Sequence, residues 1–155
     1  MQILNTQIEK DGHVIGFSAV PPERARDLWP SIEHHAEMAL SHAFDDMKPE
    51  HILGWILKDV LVLVIVTIDD KITASMTLEM VETKRGKICH IMTLGGSDME
   101  TWVDEWLKVW IAIAREQGAD WITIKGREGW ARFARRRGFE HEYTQMQLYI
   151  GGTEQ

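Results

Sequence analysis

The stretch VLVLVIVTIDDKITASMTLEMVETKRGKICHIMTL, residues 60–94, constrains the fold more than any other part of the chain. It holds three segments rich in β-branched and apolar residues, 60–68, 71–83 and 87–94, joined by Asp69-Asp70 and by Lys84-Arg85-Gly86. Such short connections leave no room for a crossover, so neighbouring strands must run antiparallel. In the second segment Ile72, Ala74, Met76, Leu78 and Met80 alternate with Thr73, Ser75, Thr77 and Glu79. That alternation predicts one buried face and one polar, wet face.

Helical patterns flank the meander. Residues 99–117 place Trp102, Val103, Trp106, Leu107, Trp110, Ile113 and Ala114 on one broad apolar side, with Ser97 or Asp98 as N-cap and Gly118 as the stop. Upstream, residues 2–9 and 13–19 read as short strands about an Asp11-Gly12 turn. Pro21-Pro22-Glu23 then opens a helix in which Pro30 marks a kink or a second segment, and Pro49-Glu50 opens a shorter one, HILGWILKD. Downstream lie a strand, DWITIKG, a helix, REGWARFARRR, ended by Gly138, and a last strand, YTQMQLYI. An antiparallel meander followed by a β-α-β unit predicts an α+β fold, with a mixed sheet and helices on both faces. At 155 residues the chain is expected to form a single domain, 1–155.

Charge and composition narrow the function. A net charge of −7 argues against nucleic-acid binding, which needs a basic footprint. Cys89 is the only cysteine, so no intrachain disulfide forms, which suits a reducing cytoplasm. The first residues lack the pattern of a signal peptide, and the apolar run at 60–66 is far short of a membrane span. A soluble protein with no membrane association is expected. His34, His35 and His42 share one helical stretch without metal-ligand spacing, so no metal site is expected.

The segment TLGGSDMETW, residues 93–102, has the backbone layout of a phosphate-cradling turn between a strand and a helix. Its side chains are those of a capped helix start: Asp98 and Glu100 stabilise a helix N-terminus by ~0.3–1 kcal/mol each and occupy the place of an anion. The turn reads as the remnant of a cradle or as an altered one. Lys125, Arg127, Arg132, Arg135, Arg136 and Arg137 concentrate positive charge near the last helix, fit for its C-terminus, for phosphates or for an acidic partner.

The element order, with KICHIMTL entering GGSDMETWVDEWLKVWIAIAREQG and then DWITIKG and REGWARFARRRGF, resembles the GNAT superfamily of acyl-CoA-dependent N-acetyltransferases. The likeness runs from about Val20 to Ile150. It is nearest to the GNAT-like proteins of tailed bacteriophages, through PPERARDLWP, the Gly-Gly turn followed by Trp102, and GREGW at 126–130. The resemblance implies that acetyl-CoA would lie against Leu94, Gly95, Gly96, Ser97 and Asp98, with Arg127 and Trp130 nearby. His90 or Glu79 would relay the proton of an amine, and Tyr143 is the candidate acid. Two departures stand out. The family's usual Arg or Gln is missing from the turn, and Ala134 stands where many members carry a tyrosine four residues before the glycine that ends the last helix. Two functions follow. The chain is a degenerate GNAT-fold phage protein, accessory or virion-associated, binding a phage or host protein partner and requiring no cofactor. Alternatively it is an active N-acetyltransferase that uses acetyl-CoA to acetylate an amine. The expected location is the host cytoplasm or the phage particle.

Overall fold

Among the described residues, six strands form one sheet in sequential order. In chain order the elements are β1 (Asn5–Lys10), β2 (His13–Val20), α1 (Pro22–Leu40), α2 (Pro49–Leu57), β3 (Val62–Ile68), β4 (Lys71–Thr83), β5 (Gly86–Gly96), α3 (Met99–Glu116) and β6 (Trp121–Ile124). The computed structural model describes residues 5–41, 47–125, 132, 134–140, 148–149 and 151. The chain separates into two compact units, Met1–Lys125 and Gly126–Gln155, and all of these elements belong to the first.

Pairing is antiparallel from β1 to β5, and β6 then joins β5 in parallel after the crossover through α3. This is the expected meander plus β-α-β unit. The tight turns follow local chemistry: Asp11-Gly12 and Asp69-Asp70 all take positive φ, as two-residue hairpins require. Pro22 opens α1 at a position where its missing N–H costs nothing. Pro30 lies inside that helix, which continues as one element to Leu40.

Helices cover both faces. On one side Ala25, Trp29, Ile32 and Ala36 of α1 and Ile52 and Ile56 of α2 build a core with Leu63 of β3. On the other, Trp102, Trp106 and Trp110 of α3 are buried; Trp106 stacks on Trp110 with ring centres 6.3 Å apart and meets Phe17 of β2 at 5.6 Å. No helix among the described residues is long and apolar enough to cross a membrane.

Two β-bulges change the alternation read from the sequence. Between β3 and β4 the register jumps from Val66↔Ala74 to Thr67↔Ile72, so Thr73 is an extra residue. Ile72 therefore leaves the side of Ala74 and Met76 and packs on the α1–α2 core. Nor is the polar side of β4 wet. Ser75 and Thr77 are buried beneath the helices, and each finds a partner. His35 Nδ1 meets Ser75 Oγ at 2.9 Å, and the Thr77 and Thr93 hydroxyls meet at 2.7 Å. Buried polar groups survive only when paired in this way.

Burial, with a smaller effect of His34, holds the His35 imidazole down at about 4, against an ordinary 6.5. The unfolded chain therefore binds more protons in that interval, and stability is fully present above pH 6.5 and lost as pH falls towards 4. His90, held low by its own burial, adds the same sign, while His13, raised by its bond to Asp69, adds the opposite. Urea denaturation across this pH range should show stability falling with acid, and His35→Gln should flatten the slope.

Candidate functional site

Gly95 and Gly96 do not form a loop after β5; they are its last two residues, paired with Ser75 and Ala74 of β4. Each is required by close packing. A Cβ on Gly95 would stand 1.9 Å from the backbone carbonyl oxygen of His35, because α1 crosses directly over this point. A Cβ on Gly96, whose φ is +140°, would stand 2.4 Å from the Ala74 Cβ. The turn beyond them is pinned at two places. Ser97 N–H donates to the Thr73 carbonyl at 3.0 Å, and the buried Trp102 Nε1–H donates to the Ser97 carbonyl at 2.9 Å. Trp102 thus closes the turn from inside the core.

Asp98 is the N-cap residue of α3, but not in the expected manner. Its backbone is left-handed, with φ +54°, and its side chain makes no capping bond. The carboxylates of Asp98 and Glu100 are exposed at the helix start. Among the described residues, the N–H groups of Asp98, Met99 and Glu100 make no backbone hydrogen bond, whereas Thr101 N–H donates to the Asp98 carbonyl at 2.9 Å. An anion would find free donors here, and two negative charges beside them.

Between β4 and β5 the register shifts from Thr77↔Thr93 to Leu78↔Ile91, leaving Met92 as an extra residue. Simple alternation would put Ile88, His90, Met92 and Leu94 on one face of β5, and the bulge breaks that pattern. Met92 packs on the α1–α2 core, but Leu94, paired with Met76, falls on the α3 side, not on the side of His90. Pairing with β6 also ends at this point: the last rungs are His90↔Thr123 and Ile91↔Ile124. β5 then runs on to Gly96 against β4 alone, and among the described residues no strand lies on its other edge. The edge of β5 beyond these last rungs is the candidate site, with its apex at His90 and Ile91.

At that apex three side chains form a row across three strands. Glu79 of β4 is the register partner of His90, and His90 Nδ1 lies 2.7 Å from Thr123 Oγ1 of β6. Burial lowers the His90 pKa below its usual value; Glu79 and the Thr123 backbone pull it up, and Lys125 pushes it down. The imidazole is therefore neutral at physiological pH, as a general base must be. Both expected proton-relay residues meet here. Thr123 was missed, since only the β5–β6 register brings it to His90.

Arg127, Trp130 and Tyr143 lie outside the described residues. In the second unit Ala134 and Arg135 are helical, and Gly138 follows with φ +90°, accepting the role of helix stop. No group of three metal-ligating side chains occurs among the described residues. The cavity between α1, α2 and the sheet holds about 10 Å³, room for no more than one water.

No protein-family profile matches the sequence, and no curated protein matches it either. Solved structures do match in shape. A predicted acetyltransferase from Clostridium acetobutylicum, determined with acetyl-CoA, superposes with a TM-score of 0.62 at 12% identity, over 88% of this chain and 96% of its own. An aminoglycoside acetyltransferase from an uncultured soil metagenomic sample gives 0.62 at 12% identity, over 90% and 97%. A GCN5-related N-acetyltransferase from Ralstonia eutropha gives 0.64 at 12% identity, over 88% and 99%. This is the GNAT fold. At such identities the likeness speaks for architecture alone, and any chemistry must be argued from this chain's own residues.

The packing account of the glycine pair makes a direct prediction. Gly95→Ala should cost ~2–4 kcal/mol in urea denaturation with no ligand present. Gly12→Ala, at positive φ but with nothing within 4 Å of the added carbon, should cost only ~1–2 kcal/mol. Equal losses at the two positions would contradict the packing account.

Proposed function

We propose that this chain binds an acyl-CoA along the edge of β5 beyond its last rung with β6 and transfers the acyl group to an amine. One observation carries the reading: the last β5–β6 rung is Ile91↔Ile124, and β5 continues past the Met92 bulge with one edge unpartnered among the described residues. A free strand edge offers backbone donors and acceptors to an extended ligand, in the way a sheet accepts an added strand. The amide groups of a pantetheine arm suit such an edge. The fit to the pyrophosphate is poorer, because Asp98 and Glu100 flank the free N–H groups of Asp98, Met99 and Glu100.

An acyl-CoA supplies an activated acyl thioester when bound. The protein's own residues do the rest. Backbone N–H groups along residues 92–96 of β5 orient the donor, and α1 and α2 shield that end of the strand on one face. His90 stands at the apex, neutral and partly buried, where it takes the proton of the acceptor amine. Glu79, its neighbour on β4, favours the resulting imidazolium. The acceptor is an amine of a small molecule or of a protein.

A second reading rests on the turn. Packing alone accounts for Gly95 and Gly96, and carboxylates stand where a phosphate would sit. These features favour a protein that has given up the cofactor and serves a tailed phage as an accessory or virion-associated component, docking a phage or host protein.

Calorimetric titration separates the two. Saturable micromolar binding of acetyl-CoA is expected, and His90→Gln should keep that binding while lowering amine acylation by ~10²–10⁴-fold. Absence of heat at millimolar acetyl-CoA, with the protein shown to be folded, would contradict the transferase reading and leave the phage accessory role.

A further inference from the structure

We infer that Thr123 is a positioning residue for His90: from β6 it holds the imidazole with the proton on Nδ1, so that Nε2 is the nitrogen that accepts the amine's proton. The inference rests on the transferase reading for the choice of tautomer, and on geometry for the bond itself. His90 and Thr123 are register partners on adjacent parallel strands, and the Nδ1···Oγ1 distance is 2.7 Å. Both side chains are partly buried, where solvent competes less for the bond.

A hydroxyl can donate or accept, so the distance alone does not fix the proton. Thr123 occupies Nδ1, so Nε2 is the ring nitrogen left for an acceptor amine. A base there needs its lone pair on Nε2, which places the ring proton on Nδ1 and makes the Thr123 hydroxyl the acceptor. The charged groups that act on this ring are Glu79 of β4 and Lys125 just after β6, and their effects oppose each other. Neither substitutes for Thr123 in choosing the tautomer, because neither makes the hydrogen bond to Nδ1. A β-branched residue suits β6 in any case, yet valine would serve the strand equally well. The hydroxyl is therefore what the site uses. It ties β5 to β6 one rung before their pairing ends, so the same bond that sets the tautomer anchors the apex of the site.

The test is the nitrogen spectrum of the protein labelled with ¹⁵N-histidine, with His90 assigned through His90→Gln. The wild type should show His90 as the Nδ1–H tautomer at neutral pH. Thr123→Val should move it towards Nε2–H, and Thr123→Ser should restore it. In the acylation assay Thr123→Val should lower kcat on the order of 10²-fold with the KM for acetyl-CoA unchanged, and Thr123→Ser should recover most of the rate. A wild-type spectrum showing Nε2–H would overturn the inference without any variant. So would a Thr123→Val spectrum identical to wild type. A tautomer that responds as stated in a protein that acylates no amine would uphold the positioning role and discard the transferase reading, so the two failures are separable.

Discussion

One extra residue in a strand organises the site. Met92 has no register partner on β4, and everything distinctive about this sheet turns on that bulge. It moves Leu94 to the α3 side, leaves Met92 against α1 and α2, and stands next to the last rung between β5 and β6. A bulge bends its strand and raises the local twist. The last rung between β5 and β6, Ile91↔Ile124, falls immediately before this bulge. His90 and Thr123 sit one rung earlier, so their bond is made on the paired part of the sheet.

The second constraint is the crossing of α1 over the end of β5. Helix backbone and strand backbone meet so closely at Gly95 that no side chain fits between them. The approach lets α1 bury Ser75, Thr77 and Thr93, whose hydroxyls are then satisfied among themselves and by His35. A polar row under a helix layer is unfavourable unless every member is bonded. It also ties the cofactor side of the sheet to the stability of the whole, because the residue that clears room for α1 is next to the turn that an acyl-CoA would approach.

Much of the architecture was legible in the sequence. Asp69-Asp70 and Lys84-Arg85-Gly86 give the meander, Pro22 and Gly118 bound their helices, and the tryptophans of α3 face inward. The errors share one cause, which is that they depend on contacts distant in sequence. Neither Thr73 nor Met92 carries a local mark of a bulge, so the faces of Ile72 and Leu94 came out reversed. The glycine pair looked like a loop because the carbonyl of His35, which requires Gly95, comes from a helix far earlier in the chain. The polar face of β4 looked wet because nothing in the strand announces that α1 will cover it. Asp98 has the residue type of a cap and a left-handed backbone that places it otherwise. His90 and Glu79 were singled out by residue type, whereas the nearness of Thr123 to His90 needed the register.

The claim on which the account stands is that the edge of β5 past Met92 receives the donor. Amide hydrogen exchange, followed residue by residue with and without acetyl-CoA, addresses it directly. The account predicts slowed exchange within residues 92–96 and at the start of α3 when acetyl-CoA is present, with α1 unchanged. Unaltered exchange along β5 at saturating acetyl-CoA, or protection confined to another part of the chain, would contradict it.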